Sequence, residues 1–522
     1  MALNVLSLFG DSSRIQADWG RSRAKNPERF ATMRQRFEPA PDLNRTPIEN
    51  VIIPLKSRDE LPPILAGLQW IWMHPTLKAE IFAVLEEKIL AGKQATGRPG
   101  MDLWQILVLG VVRLGLNANY DRLEHTANFD TLLRQILGVN ETPWGEQAVV
   151  FNHQTLRDNV ALMDEALLAT LNAQVAAAGR EVFAKKEGEP AEPLALKVDS
   201  YVLETDVHFP TDLNLLFDGG RKCLDLVEKY RDQFGYELAG WRKLEDWRRR
   251  FKGLERVASK TVFGGGKDKE KRIQKVVGDY LECARELSAK VSESLLALCD
   301  QAVVLEQWTA LSYFHEMLDK HIDLVDRRLL QKQTIEASEK VYSLFEPHTE
   351  WITKGKLHPG VELGHRLLVT TDQNQLIQDY AVMDQEVDVD QSVPVVDRVL
   401  GRYGEGAIAS VSFDKGFTRK SDRELLELYV PVVVMPKRGK KNAEETERES
   451  DKKFVQLRQA HSAIESAIAS LEHHGLNRCL DVGLDGYRRY VGYGVLSYNL
   501  HVIGRELLLQ KRARAEALAH AA

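Results

Sequence analysis

Asp199, Asp414 and Glu465 are carboxylates in settings where a carboxylate needs a reason. Asp199 stands inside KVDSYVLET, an alternating, β-branched stretch that reads as a strand. A charge there is costly to bury unless something compensates it. Asp414 ends the strand of VSFDKGF (411–417), where Gly416 lets the backbone turn away. Glu465 lies on FVQLRQAHSAIESAIASLEHH, a helical stretch with Phe454, Leu457, Ile464, Ile468 and Leu471 as its apolar stripe. Seven residues turn a helix through about 700°, so Arg458 points almost with Glu465, and His461 lies one turn before it. Each acid also has a plain structural reading: an edge-strand charge, a turn residue, half of a helical ion pair with His461 or Arg458. Together, two strand-borne aspartates and a helix-borne glutamate form an oxygen donor set for hard divalent cations. Two such ions about 3.5–4 Å apart stabilise both the attacking and the leaving oxygen of an in-line phosphoryl displacement.

Other combinations fail on geometry. GGGKD (264–268) lacks the first glycine, the spacing and the Ser/Thr of a phosphate loop. His315 and His321 are six residues apart, about 600° of helix, and leave one face. No G-x-S-x-G elbow occurs. Cys223, Cys283, Cys299 and Cys479 are scattered without a CxxC pair, which fits buried thiols in a reducing cytoplasm rather than a disulfide framework.

The elements that must position the acids follow from periodicity. Residues 61–180 carry apolar residues at spacings of three and four and predict several helices. KEGEPAEP (186–193) marks a boundary, and LALKVDSYVLET (194–205) a strand. Residues 213–345 are helical and charged, with Val277, Ala284, Val291 and Leu298 at seven-residue spacing. A hairpin around DQNQ follows, then a helix over 393–403, the strand ending at Asp414, a helix seeded by Ser421 and Asp422, a strand YVPVVVM (429–435), and helix from 451 to the end. The expected fold is α/β: a mixed sheet flanked by helices, with an all-helical N-terminal domain and a long helical insertion.

The chain has 522 residues, a formal net charge of −6 and 28% charged residues. No run of about 18 apolar residues and no secretory signal stand out, so the expectation is a cytoplasmic protein without a membrane partner. The average charge hides basic clusters. Residues 242–275 hold thirteen Lys and Arg against five Asp and Glu, with Trp241, Trp247, Phe251 and Phe263 nearby; PKRGKK (436–441) and KRAR (511–514) are two more. Such clusters suit phosphates, although each also reads as a solvated face.

At these residues the sequence resembles the DDE-type transposases of bacterial insertion sequences. KVDSYVLETDVHFPTDLNLLFDGGRK (197–222), SVSFDKGF (410–417) and LRQAHSAIESAIASLEHHGLNRC (457–479) occur in the order of that family's three motifs. SLFEPHTEWITKGK (343–356), VGYGVLSYNLHVIGREL (491–507) and residues 98–125 are similar to further family segments. The resemblance implies an RNase H-like catalytic domain over 190–217 and 346–510, an arm over 1–60, a helical DNA-end-binding domain over 61–185 and a helical insertion over 218–345. It implies that Asp199, Asp414 and Glu465 are catalytic and hold two Mg²⁺ or Mn²⁺ ions. Cleavage at the ends of the element and strand transfer into target DNA would follow, in a homodimer or larger assembly on double-stranded DNA at the nucleoid. Arg458, His461, Lys415, Arg248, Arg249, Arg250, Lys437 and Arg438 are the expected DNA contacts. The chain departs from the pattern at Glu472, where many relatives have a basic residue, and at His461, where some have arginine; His473 or Lys415 can substitute. Two alternatives stand beside this reading: a metal-dependent nuclease without strand transfer, and a catalytically idle DNA-binding derivative.

Overall fold

The computed structural model describes residues 36–37, 45–91, 100–145, 148–184, 192–301, 303–353 and 360–521. Most of the expected leader and the boundary stretch 186–191 lie outside these residues. The described chain divides into two compact units, residues 207–351 and residues 36–206 with 352–521.

In the second unit the helices α1 (Leu61–Met73), α2 (Pro75–Ile89), α3 (Leu103–Gly115), α4 (Tyr120–Phe129), α5 (Thr131–Ile136), α6 (His153–Val160) and α7 (Glu165–Gly179) precede β1 (Leu194–Thr205). The starts of α4 to α7 are capped by the side chains of Asn119, Asp130, Asn152 and Asp164, each accepting a backbone N–H of the first turn. The segment before α1 also packs. Ile48, Val51 and Ile53 are buried, and the Gln69 amide donates to Ile48 O and Val51 O.

The first unit supplies α8 (Asp212–Asp232), α9 (Leu244–Phe263), α10 (Lys269–Cys299) and α11 (Leu305–Val325). Val277, Ala284, Val291 and Leu298 all lie buried in its core, so the seven-residue pattern marks the inward stripe of α10. Gly220 of α8 faces Phe251, where an added Cβ would come within 2.3 Å of the ring.

The sheet continues with β2 (Glu350–Thr353), β3 (Val361–Thr371), β4 (Ile377–Met383), α12 (Asp388–Tyr403), β5 (Ile408–Phe413), α13 (Lys420–Leu426) and β6 (Val433–Val434). Then come α14 (Ala443–Ser450), α15 (Lys452–His461), α16 (Ala463–Leu471), β7 (Arg478–Cys479) and α17 (Gly483–Ala521). The strand order is β2-β3-β1-β5-β6, with β4 beside β3 and β7 beside β1. β1 runs antiparallel to β3 and parallel to β5, which makes this a mixed α/β sheet. Side-chain alternation divides β1 between two cores. Leu194, Leu196 and Val198 meet Val395, Val396 and Val399 of α12 and Phe413 of β5. Tyr201 and Leu203 join the core that holds α1 to α7, α16 and α17.

Three expectations need correction. α12 begins at Asp388, not 393, with Asp388 and Asp390 in its first turn, where acids complement the helix dipole, and Pro394 inside. YVPVVVM pairs as a strand only at Val433–Val434: Tyr429 and Val430 both donate to Leu426 O to close α13, and Pro431 has no N–H to give. Residues from 451 to the end are not helix throughout: the helix breaks at Ser462 and again at His474–Gly475, where Gly475 has φ of 95°, and Arg478–Cys479 is a short strand.

The long helix α17 approaches α1 closely. A Cβ on Gly504 would lie 1.9 Å from Pro63 O, and one on Gly67 would lie 2.3 Å from Leu500 O. Backbone cannot retreat as a flexible side chain does. Gly504→Val should therefore lower stability by about 2–3 kcal/mol, read as a drop in the urea midpoint, with Gly67→Ala costing a similar amount.

Candidate functional site

Asp199 projects from β1 on the face of its cross-strand partner Val369, toward the α16 side of the sheet. One residue earlier, Val198 pairs with Phe413, the last residue of parallel β5. Asp414 follows directly, so the two aspartates leave neighbouring strands at the same level. Glu465 sits exposed in the first turn of α16, whose Ala467 and Leu471 anchor it in the core beneath. The acids act on one another. Burial pushes the Asp199 carboxyl up to about 6, against the 2.8 Å hydrogen bond donated by Ser200 N, and Asp414, Asp388 and Glu465 each push it further.

Asp388 is a further acid that acts on Asp199 and that sequence reasoning missed, held by Ser200 on the α12 side of β1. It opens α12 and accepts a 2.7 Å hydrogen bond from Ser200 Oγ. An acid in the first turn of a helix is common enough that nothing in the sequence singled it out. Gly416 faces the same carboxylate: a Cβ there would stand 3.2 Å from Asp388 Oδ2. Gly416 does not have the left-handed backbone that a tight turn would demand, so the expected turning role is replaced by one of space beside Asp388.

Arg458 and His461 lie on α15 and Glu465 on α16, two helices that meet at Ser462. Ser462 N donates to Gln459 O and Glu465 N to Ser462 O, both three residues back, which tightens the chain between the two helices. Arg458 faces Glu449 of α14 at 3.6 Å. His461 turns toward the sheet, with Nδ1 2.9 Å from Ser412 Oγ. That hydroxyl gives its proton to Leu196 O, so it accepts from His461 Nδ1–H. Nε2 is left as a buried acceptor without a partner. Burial holds the imidazole below its ordinary pKa, while Asp414 and Glu465 raise it and Lys197 lowers it. Lys197 itself donates to Asp372 O at 2.9 Å.

Most of the arginines and lysines expected at DNA are paired within the chain. Arg248 meets Asp225 at 2.9 Å, Glu228 at 2.8 Å and Glu245 at 2.6 Å. Arg249 pairs with Asp246, Arg250 with Glu286 and Lys437 with Glu445. Trp241 and Phe251 are buried core residues, and Phe263 is exposed. Lys415 and Arg438 are exposed.

A second pair of metal-ligating side chains lies further along the sheet. Buried His365 pairs across from Leu203, about 13 Å along β1 from Asp199. His365 and exposed Asp384 offer ligand atoms within 4.8 Å of one another. The chain thus carries residues able to contribute to a metal ion here, as a metal-dependent activity would need. Sequence reasoning did not find them, since they belong to no local spacing.

Comparison with protein-family models, with curated proteins and with solved structures finds no match for this chain. Among the described residues, no single helix is long and apolar enough to cross a membrane.

The acid cluster has a measurable signature. The folded pKa of Asp199 lies above the ordinary aspartate value of 3.8. The folded state therefore binds the extra proton, and its stability falls as pH rises from about 4 to about 6 and stays low above that. In EDTA, Asp199→Asn should be more stable than the parent by about 1–3 kcal/mol at pH 7.5, with the difference vanishing below about pH 4. Thermal unfolding across pH checks both the sign and the window.

Proposed function

We propose that the protein is a metal-dependent enzyme of phosphoryl transfer on DNA, of the DDE transposase type, built on an RNase H-like sheet. The observation that carries this reading is that Asp199 and Asp414 leave adjacent strands at one level, while the Asp199 carboxyl, raised chiefly by burial, also feels the charges of Asp414, Asp388 and Glu465. That adjacency is what the reading requires of the first two acids, and β1 and β5 are parallel neighbours.

The donor set fits hard divalent cations. Its atoms are carboxylate oxygens, and Lys197, the nearby cation, is tied to a backbone carbonyl instead of neutralising them. Asp199, Asp414 and Glu465 would hold Mg²⁺ or Mn²⁺, two ions in the proposed chemistry; when bound, these lower the pKa of water and offset charge on the transferring phosphate. The protein's own residues do the rest. β1 and β5 fix the two aspartates, and α16 brings Glu465 from the α16 side of the sheet. Ser200 Oγ orients Asp388, and Ser412 holds His461 with its Nε2 lone pair free. Double-stranded DNA, at the ends of an element and at its target, is the proposed substrate, with a dimer or larger assembly joining two ends.

Asp414→Asn and Glu465→Gln should each lower Mg²⁺-dependent cleavage of end-containing DNA by about 100-fold or more, exceeding the loss typical of an outer-shell change. Cleavage at the parent rate by either variant would overturn the site. Precut ends separate strand transfer from hydrolysis alone: joined product supports the transposase, and water-cleaved product supports the nuclease.

A further inference from the structure

The basic cluster 511–514 plays no part in the acid site, and the fold gives it a place. The C-terminal half of α17 and the segment before α1 enclose a groove of about 480 Å³, whose charged lining is Lys56, Arg58, Arg505 and Arg512, with no acid among the lining residues. Leu55, Leu508 and Leu509 form its apolar floor. Lys56, Arg58 and Arg505 are exposed and make no ion pair among the described residues, unlike the arginines of α9. Arg512 is shared with Glu516 at 2.8 Å.

Spacing gives the groove a direction. Arg505 and Arg512 are seven residues apart on α17, so they share a face and lie about 10.5 Å apart along its axis. One strand of B-DNA presents about three phosphates over that length, at 3.4 Å of axis per phosphate. The groove adjoins a second cleft. That cleft, of about 560 Å³, shares Arg505 and Leu509 with it and is lined by Ser466 and Ser470 of α16, the helix that carries Glu465. Ser466 is the residue next to Glu465.

We propose that this groove binds the sugar-phosphate backbone of duplex DNA, holding it along α17. The choice of DNA among polyanions rests on the function proposed above; the binding itself needs no metal. The contacts are to phosphates, so the groove is indifferent to base sequence and its affinity depends on salt.

The test is fluorescence anisotropy with a labelled random-sequence duplex, in EDTA, over a series of salt concentrations. Arg58→Ala with Arg505→Ala should weaken binding about tenfold and lower the slope of log affinity against log salt by about 1.8, at 0.9 per phosphate contact. Lys56→Gln with Arg58→Gln, confined to an exposed segment outside any helix, should act in the same direction and serves if the first pair disturbs folding. Affinity and slope equal to the parent in both double variants would overturn the proposal. So would loss of binding to phosphatidylserine vesicles with DNA binding unchanged, which would assign the groove to a lipid surface. Cleavage by Asp414→Asn is read in Mg²⁺ and binding by the groove variants in EDTA, so the groove and the acid site fail separately.

Discussion

The pairing of β1 with β5 is the constraint on which the site depends. Val198 opposite Phe413 sets Asp199 and Asp414 at one level, although more than two hundred residues separate them in the chain. A slip of one residue would turn Asp199 to the opposite face and bury it among Val395, Val396 and Val399. Two apolar cores prevent that slip, because Leu194, Leu196 and Val198 belong to one and Tyr201 and Leu203 to the other. The Ser412 hydroxyl adds a direct tie between the strands by donating to Leu196 O.

Holding carboxylates together in this way works against folding. Burial and like charge both favour the protonated form of Asp199, and the single hydrogen bond from Ser200 N only partly offsets them. Such a cost is tolerated where the surrounding packing is strong, and perturbed carboxylates of this kind concentrate at functional sites. His461 belongs to the same arrangement. Its position is fixed by Ser412, and its free nitrogen lies among groups that include Asp414 and Glu465.

Positive charge is distributed differently from what composition suggests. The arginine run of α9 is densest in sequence, yet Arg248 alone meets three carboxylates, and Arg249 and Arg250 each have one. Those side chains brace α9 and its neighbours. Lys56, Arg58 and Arg505 of the α17 groove come from distant parts of the chain and are modest in number, but they line one surface with no acid among its lining residues; Glu516 engages Arg512 beside it. For electrostatic binding the local field counts, and paired charges contribute little to it.

How much was legible divides by range. Local periodicity determined the helices of 61–180, the bounds of β1 and the inward stripe of α10, because each depends on residues within a few turns or a single strand. The order of acid-bearing segments pointed to Asp199, Asp414 and Glu465 for the same reason: each stood out against its own neighbours. Other features needed the folded chain. Asp388 acts on Asp199 only because α12 lies on the sheet at Ser200, and Gly416 matters only for the room it leaves there. The contact of His461 with Ser412 likewise joins segments far apart in the chain. The sequence by itself determined which groups were available and the elements that carry them. The tertiary structure decided which of them meet, because a charge's partner is set by distance in space, and strand pairing and helix packing bring distant segments to that distance.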